Sequence, residues 1–327
     1  MKNKHGPFIV LILLFLFSCR TAPPAVPTST PTRPATETPP PTFTATSIPT
    51  PERAIQRVVI LSLDGLRPDA IELAPMPNLL ELMKVSAYSL TAQTIYPTAT
   101  LPAHSSMLTG SCPAGHGVDW NDYIPENGFA IGTDIFDLAH ESGLQTVMYV
   151  GKEKLQQVTE PASLDKFVFI NDRDKVVMQN LLADFPQEFG VLFIHFATTD
   201  DMGHVYGWLS PEQLSVVFRA DEAIGELLTA LDDYGLRDET LLIITADHGG
   251  HDSTHGTSMP EDMTIPWIAS GPGIVAGQLT ASIHTTDTAA TAAYALGLPI
   301  PQEWDGAPVT EAFGLPAETR PQVVCPR

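Results

Sequence analysis

Leu241-Leu242-Ile243-Ile244-Thr245-Ala246-Asp247-His248-Gly249-Gly250-His251-Asp252-Ser253-Thr254-His255-Gly256 decides how this chain is read. Its first six residues are apolar or β-branched with no alternation, the pattern of a strand covered on both faces. The run stops at an Asp-His pair, and a carboxylate beside an imidazole at a strand's carboxyl end suits a divalent metal. The glycines that follow are expected to let the backbone turn tightly. A His-rich surface turn is the alternative reading, so the metal reading stands only if other segments supply more ligands.

Two other segments repeat the pattern. Arg57 to Leu63 is an apolar strand that ends in Asp64-Gly65. Gly190 to Phe196 is another, followed by Thr198-Thr199-Asp200-Asp201-Met202-Gly203-His204. Asp200 and His204, four residues apart, can be aimed at one ion, with Asp201 as the alternative carboxylate. Parallel strands bring such ends to one edge of a sheet, where open α/β folds hold their ligands. Helices are expected over residues 78–84, 133–142 (capped at Thr133 or Gly132), 172–185, 211–234 and 286–296. Strands are expected over 145–150, 166–170 and 265–269, with Pro266 pointing to a sheet edge or a strand start. Strands alternating with helices predict an α/β fold with a mostly parallel central sheet and helices on both faces.

Tyr96-Pro97-Thr98-Ala99-Thr100-Leu101-Pro102-Ala103-His104 carries a helix start, with Pro102 just inside it. Thr100 would lie where backbone N–H groups favour an anion, as a helix cap or as a nucleophile. His104 and His116 read as hydrogen-bonding turn residues, and His195, inside a strand, as a core histidine. The three carboxylates Asp64, Asp200 and Asp247 with three imidazoles suffice for two closely spaced zinc ions, or other divalent ions, a pairing suited to phosphoryl transfer. Such an ion could hold the Thr100 hydroxyl as an alkoxide, and Asn121 could donate to a non-bridging phosphate oxygen.

The chain ends bear on location. Met1-Lys2-Asn3-Lys4 precedes the apolar run Phe8 to Phe17, too short to span a bilayer and typical of a secretory signal over residues 1–18. Leu16-Phe17-Ser18-Cys19 is similar to a bacterial lipoprotein box, which would put a lipid on Cys19 and anchor the exported protein to the outer face of a bacterial membrane; secretion without lipid is the alternative. Residues 19–52, rich in Pro and Thr, cannot offset their ordering entropy by burial and read as a spacer. Residues 53–327 are long enough for one sizeable catalytic domain. The formal charge of −21 argues against a nucleic-acid-binding module. With Cys19 lipidated, Cys112 and Cys325 are a pair that could form a disulfide.

Asp64-Gly65, Pro97-Thr98-Ala99-Thr100-Leu101-Pro102, Gly115-His116-Gly117, Asp200-Asp201-Met202-Gly203-His204 and Asp247-His248-Gly249, in this order, resemble the alkaline phosphatase superfamily and, within it, the nucleotide pyrophosphatase/phosphodiesterase (type I phosphodiesterase) family. The resemblance implies an alkaline phosphatase-like three-layer sandwich. It also implies hydrolysis of small phosphodiester or pyrophosphate substrates, nucleotides among them. Thr100 would be the nucleophile that forms a phosphothreonine, and Asn121 the transition-state donor. One zinc would be held by Asp200, His204 and His255; the other by Asp64, Asp247 and His248, with Thr100 bridging toward it. In the eukaryotic branch a long segment precedes the third histidine, whereas here His255 follows at once, which leaves His251 and His284 as rivals. Ala103 stands where the family often has Asn. A phosphomonoesterase on the same scaffold is the competing enzyme reading, and a binding lipoprotein without turnover is the competing class.

Overall fold

The structure, a computed structural model, describes residues 55–316 and Cys325. The expected leader, lipid-bearing Cys19 and spacer lie outside the described residues. The strands are β1 (Arg57–Leu63), β2 (Ala87–Gln93), β3 (Gln145–Val150), β4 (Lys166–Phe169), β5 (Phe189–Phe196), β6 (Thr240–Thr245), β7 (Thr264–Ser270) and β8 (Gly277–Gln278). They form one sheet in the order β4-β3-β5-β1-β6-β7-β2-β8. From β4 through β6 every pairing is parallel, and β7 runs antiparallel to both of its neighbours. All of β5 and β6 and six of the seven residues of β1 are buried. That absence of alternation marks a sheet covered on both faces.

The helices are α1 (Ala70–Leu73), α2 (Pro77–Met83), α3 (Thr100–Thr109), α4 (Pro113–His116), α5 (Ile135–Glu141), α6 (Asp174–Ala183), α7 (Thr198–Tyr206), α8 (Pro211–Asp233), α9 (Pro260–Met263) and α10 (Asp287–Leu296). The long α8 packs with α2, α6 and α7 as one layer, while α10 packs with α3 and α5 as the other. The three-layer α/β sandwich expected from the sequence is the observed architecture.

Two local expectations are corrected. Helix α5 is capped by Asp134 rather than Thr133 or Gly132: the Asp134 side chain accepts from the N–H groups of Phe136 and Asp137, and Asp137 reaches back to the Asp134 N–H. This reciprocal box satisfies otherwise orphaned donors, which neither Thr133 nor Gly132 does. Pro266 lies in β7, between β6 and β2, not at an edge. The sheet tolerates it because β2 is irregular between Ser89 and Ala92, opposite Ile265 to Trp267, so a missing N–H there interrupts no regular ladder. Strands β2 and β8 had no counterpart in the sequence reading. Cys112 and Cys325 are disulfide-bonded.

Candidate metal centre

The sheet order explains why distant residues meet. Strands β5, β1 and β6 are adjacent and parallel, so their carboxyl ends place Asp200, Asp64 and Asp247 side by side. Asp64 directly follows β1, Asp247 lies two residues beyond β6, and Asp200 is the third residue of α7, which opens just after β5. Potential ligand atoms of Asp64, Asp247 and His248 lie within 4.8 Å of one another, and so do those of Asp200, His204 and His255. The His248 and His255 rings stack with centroids 3.8 Å apart, which joins the two clusters.

In each carboxylate one oxygen is engaged and the other is not. Asp247 Oδ1 accepts from the N–H groups of Gly65 and His248 at 3.1 and 3.0 Å. Asp64 Oδ2 meets His195 Nε2 at 3.0 Å and Lys152 Nζ at 2.7 Å, and Asp200 Oδ2 meets the same Lys152 Nζ at 2.6 Å. The remaining oxygens, Asp64 Oδ1, Asp200 Oδ1 and Asp247 Oδ2, are buried without a hydrogen-bond partner, as is His248 Nε2. Asp64 Oδ1 and Asp247 Oδ2 lie 3.4 and 3.3 Å from His248 Nε2, and Asp200 Oδ1 lies 3.5 and 3.6 Å from the Nε2 atoms of His204 and His255. Unsatisfied polar atoms in a protein interior are costly, and each of these two groups fits a cation. The imidazoles are set for the same task. His248, His204 and His255 direct Nδ1 at the backbone carbonyls of Gly249, Ser253 and Thr98, at 2.8, 3.1 and 2.6 Å. An Nδ1–H held by a carbonyl leaves the Nε2 lone pair free for a metal.

The electrostatics agree. Burial pushes Asp64 up, but the Lys152 ammonium and His195 override it and hold the carboxyl well below its ordinary range. Burial and then the Asp64 charge push Asp247 well above its ordinary value, a strain that a divalent ion would relieve. Burial, with the neighbouring His248, pushes His255 down to about 4, so it is a neutral ligand at pH 7.

The sequence-selected residues fall as follows. Asp64, Asp200, Asp247, His204, His248 and His255 form the two clusters. His251 pairs through Nδ1 with Asp262 at 2.6 Å, and His284 lies 3.9 Å from Asp287; neither joins a cluster. Asp201 lines a cavity of about 910 Å³ with Arg173, Met202 and Arg219. Thr100 is the first residue of α3 and is buried. Asn121 Oδ1 accepts from Leu101 N at 2.9 Å, which fixes the amide beside Thr100.

His104 is corrected from a turn residue to a buried member of α3. Its Nδ1 meets Thr100 O at 2.8 Å and lies 3.4 Å from Asp247 Oδ2, while Nε2 meets Ser62 Oγ at 2.9 Å. It therefore ties the start of α3 to β1 and to the centre. His195 is a core histidine as expected, but it also orients Asp64. Of the glycines after His248, Gly256 takes the left-handed backbone expected of a turn, at φ 106°, but Gly249 and Gly250 do not. A Cβ on Gly249 would lie 2.0 Å from Glu261 O, and one on Gly250 would lie 2.1 Å from the Trp208 ring, so close packing rather than turning requires them. Trp208 in turn donates to Gly65 O and packs edge-on against His204 and His255.

Sequence reasoning missed Lys152 and Lys154. Lys152 follows Gly151 at the end of β3, the strand next to β5, so four adjacent strand ends carry Lys152, Asp200, Asp64 and Asp247. The available signal was a charged residue directly after a strand-ending Gly. Lys154 Nζ donates to Asn121 Oδ1 at 3.2 Å.

Known proteins resemble this chain in sequence and in fold. Residues 58–267 match the family model for type I phosphodiesterase / nucleotide pyrophosphatase. The chain is 27% identical over 217 residues to human ectonucleotide pyrophosphatase/phosphodiesterase family member 5, covering 59% of this chain and 45% of that protein. It is also 27% identical over 297 residues to the catalytic subunit of human GPI ethanolamine phosphate transferase 2, covering 83% of this chain and 29% of that one. It thus spans less than half the length of these two relatives. Among solved structures, murine ectonucleotide pyrophosphatase/phosphodiesterase 5, in an inactive form complexed with AMP, aligns with a TM-score of 0.65 at 16% identity, covering 75% of this chain and 96% of that one. A phosphonate monoester hydrolase from Silicibacter pomeroyi aligns with a TM-score of 0.63 at 16% identity, covering 82% and 78%.

Proposed function

The chain belongs to the type I phosphodiesterase / nucleotide pyrophosphatase family, and on that premise we propose that it hydrolyses phosphodiester or pyrophosphate bonds with Thr100 as nucleophile and two zinc ions as cofactors. The observation that carries this reading is the set of four buried, unsatisfied atoms on Asp64, Asp200, Asp247 and His248. One ion would be held by Asp64, Asp247 and His248, the other by Asp200, His204 and His255. When bound, such ions supply Lewis acidity and offset the charge that builds in an in-line displacement at phosphorus.

The chain's own residues do the rest. Thr100 Oγ1 attacks phosphorus, the alcohol or phosphate opposite departs, and water then cleaves the phosphothreonine. With Asn121 Oδ1 held by Leu101 N and Lys154, its Nδ2 is the end left to donate to a non-bridging oxygen. His104 and His255 clamp the chain on either side of Thr100 through the carbonyls of Thr100 and Thr98. Nucleotides are the substrate class put forward, on the strength of the AMP held by the murine relative.

Thr100→Ala is expected to abolish turnover of bis(p-nitrophenyl) phosphate while zinc content, measured by emission spectroscopy, stays near two. Loss of metal with the hydroxyl would make Thr100 structural and sink the nucleophile assignment. The proposal extends to location: export with a lipid on Cys19, a setting with which the Cys112–Cys325 disulfide is compatible. Labelled fatty acid should be incorporated by the full chain and not by Cys19→Ala; equal labelling of both would refute the anchor.

A further inference from the structure

Lys152 stands just before, and Lys154 within, a short 3₁₀ segment (Glu153–Val158), with exposed Glu153 between them. Their situations differ. Lys152 is bound to Asp64 and Asp200, and its charge is spent on those carboxylates. Lys154 is half-buried, has no ion-pair partner among the described residues, and donates only to the neutral oxygen of Asn121. A partly desolvated ammonium held by a neutral amide is poorly compensated. Holding Asn121 does not explain the charge, since the amide is already fixed by Leu101 N and a neutral donor would serve. The carboxylates of Asp64, Asp200 and Asp247 act on Lys154 only at longer range, and bound cations would cancel that attraction. Because Lys154 Nζ and Leu101 N share the Asn121 oxygen, the ammonium lies close to the N-terminus of α3 and Thr100, where a phosphoryl group would sit on the hydrolase reading.

We propose that Lys154 binds a second negative charge on the substrate's phosphoryl group or its immediate neighbour. The site then favours pyrophosphate-type and dianionic phosphoryl substrates over diesters flanked by neutral groups. This inference rests on the phosphoryl-transfer reading above and narrows it. A charge-assisted hydrogen bond to an anionic oxygen is about twice as strong as a neutral one, enough to set such a preference.

The test uses the full chain with two substrates that share one leaving group at pH 8: p-nitrophenyl phosphate, with two negative charges, and bis(p-nitrophenyl) phosphate, with one. Lys154→Met should lower kcat/KM for the first at least about tenfold more than for the second, and Lys154→Arg should keep most of the wild-type ratio. Equal losses on both substrates would reduce Lys154 to a support for Asn121 and overturn the proposal. A binding readout independent of turnover uses the zinc-loaded Thr100→Ala protein. There, adding Lys154→Met should weaken inorganic phosphate about tenfold in calorimetry, leave dimethyl phosphate unchanged, and leave zinc content unchanged. Zinc loss, or parallel weakening of both ligands, would overturn the proposal while leaving the hydrolase reading intact. A wild type that hydrolyses no phosphoester, yet shows the selective phosphate effect, would refute the hydrolase reading and keep this one.

Discussion

The two ligand clusters are made of unlike material. Asp64 and Asp247 leave adjacent parallel strands and, with His248, are fully buried. Asp200 and His204 share one helix and His255 arrives on a loop; His204 is 43% exposed. The inner cluster is held by the sheet, and its orphaned atoms have nowhere else to turn. The outer cluster reaches water through His204, while Asp200 and His255 are 4% and 9% exposed, and it hangs on α7 and on the Thr98 carbonyl. Rigid, desolvated ligands favour tight binding, whereas exposed ligands on mobile elements favour exchange. On the two-ion proposal, the inner ion is therefore expected to be held more tightly than the outer one.

The widest separation should come from removing one ligand on each side. Asp247→Asn should lower turnover of bis(p-nitrophenyl) phosphate by more than about 100-fold, with a loss that excess zinc does not restore. His204→Ala should cost about tenfold and recover as zinc is added, the scale on which weakened metal support is felt. Metal content measured beside activity checks the pair. Equal, unrecoverable losses would erase the distinction between the clusters.

Lys152 joins the clusters, so it sharpens the contrast from another side. Its ammonium is shared between Asp64 of the inner set and Asp200 of the outer set; burial works against its charge, but the two carboxylates raise its pKa regardless. Removing one partner from a buried ion pair leaves uncompensated charge and costs about 3 kcal/mol or more. Lys152→Met should therefore lower the unfolding free energy of the metal-free protein by roughly that amount. The zinc-loaded protein should lose markedly less, because cations then neutralise the same carboxylates. Chemical denaturation with and without chelator measures both. A loss of equal size in the two states would mean that Lys152 packs rather than compensates charge.

How much of this could be read from residues alone follows from the same geometry. Strand ends announce themselves: Asp64, Asp200 and Asp247 each close an apolar run, and β-sheet adjacency does the assembly. The sequence leaves His251 and His284 as rivals to His255; the fold resolves it because Asp262 engages His251 while Thr98 turns His255 inward. Side chains that act through a second residue stayed hidden. His104 and His195 look like ordinary core or turn histidines until Ser62, Thr100 and Asp64 are brought to them. Lys152 sits after a short strand whose place next to β5 depends on long-range pairing, which no local pattern encodes. Strands β2 and β8 were missed for a related reason: the register of β2 shifts between Ser89 and Ala92, and β8 has only two residues.

The smallest expected effect is the share of the acid-side pH dependence that His255 of the outer cluster contributes. In the metal-free protein, burial and then His248 push His255 down to about 4, and burial pushes His116 down to about 4 as well. Between about 4 and the ordinary histidine value near 6.5 the unfolded chain binds more protons than the folded one. These two groups therefore weaken folding as pH falls through that window and leave it at full strength above it. Asp134 and Asp174, raised by burial to about 7 and about 6, act with the opposite sign, because their folded forms hold protons longer than the unfolded chain. The net profile is thus a poor guide, and the difference between variants is the informative quantity. His255→Gln should flatten the acid-side loss by about 1 kcal/mol, a few degrees of unfolding midpoint, once the openness of the cleft is allowed for. His116→Gln should remove a separate part of the slope, since His116 bonds Ser106 and Val118 away from the ligand clusters. An unchanged slope in His255→Gln would mean that the outer ligand is as solvated as a free imidazole, and the contrast between a retained and an exchanging ion would then rest on the strands alone.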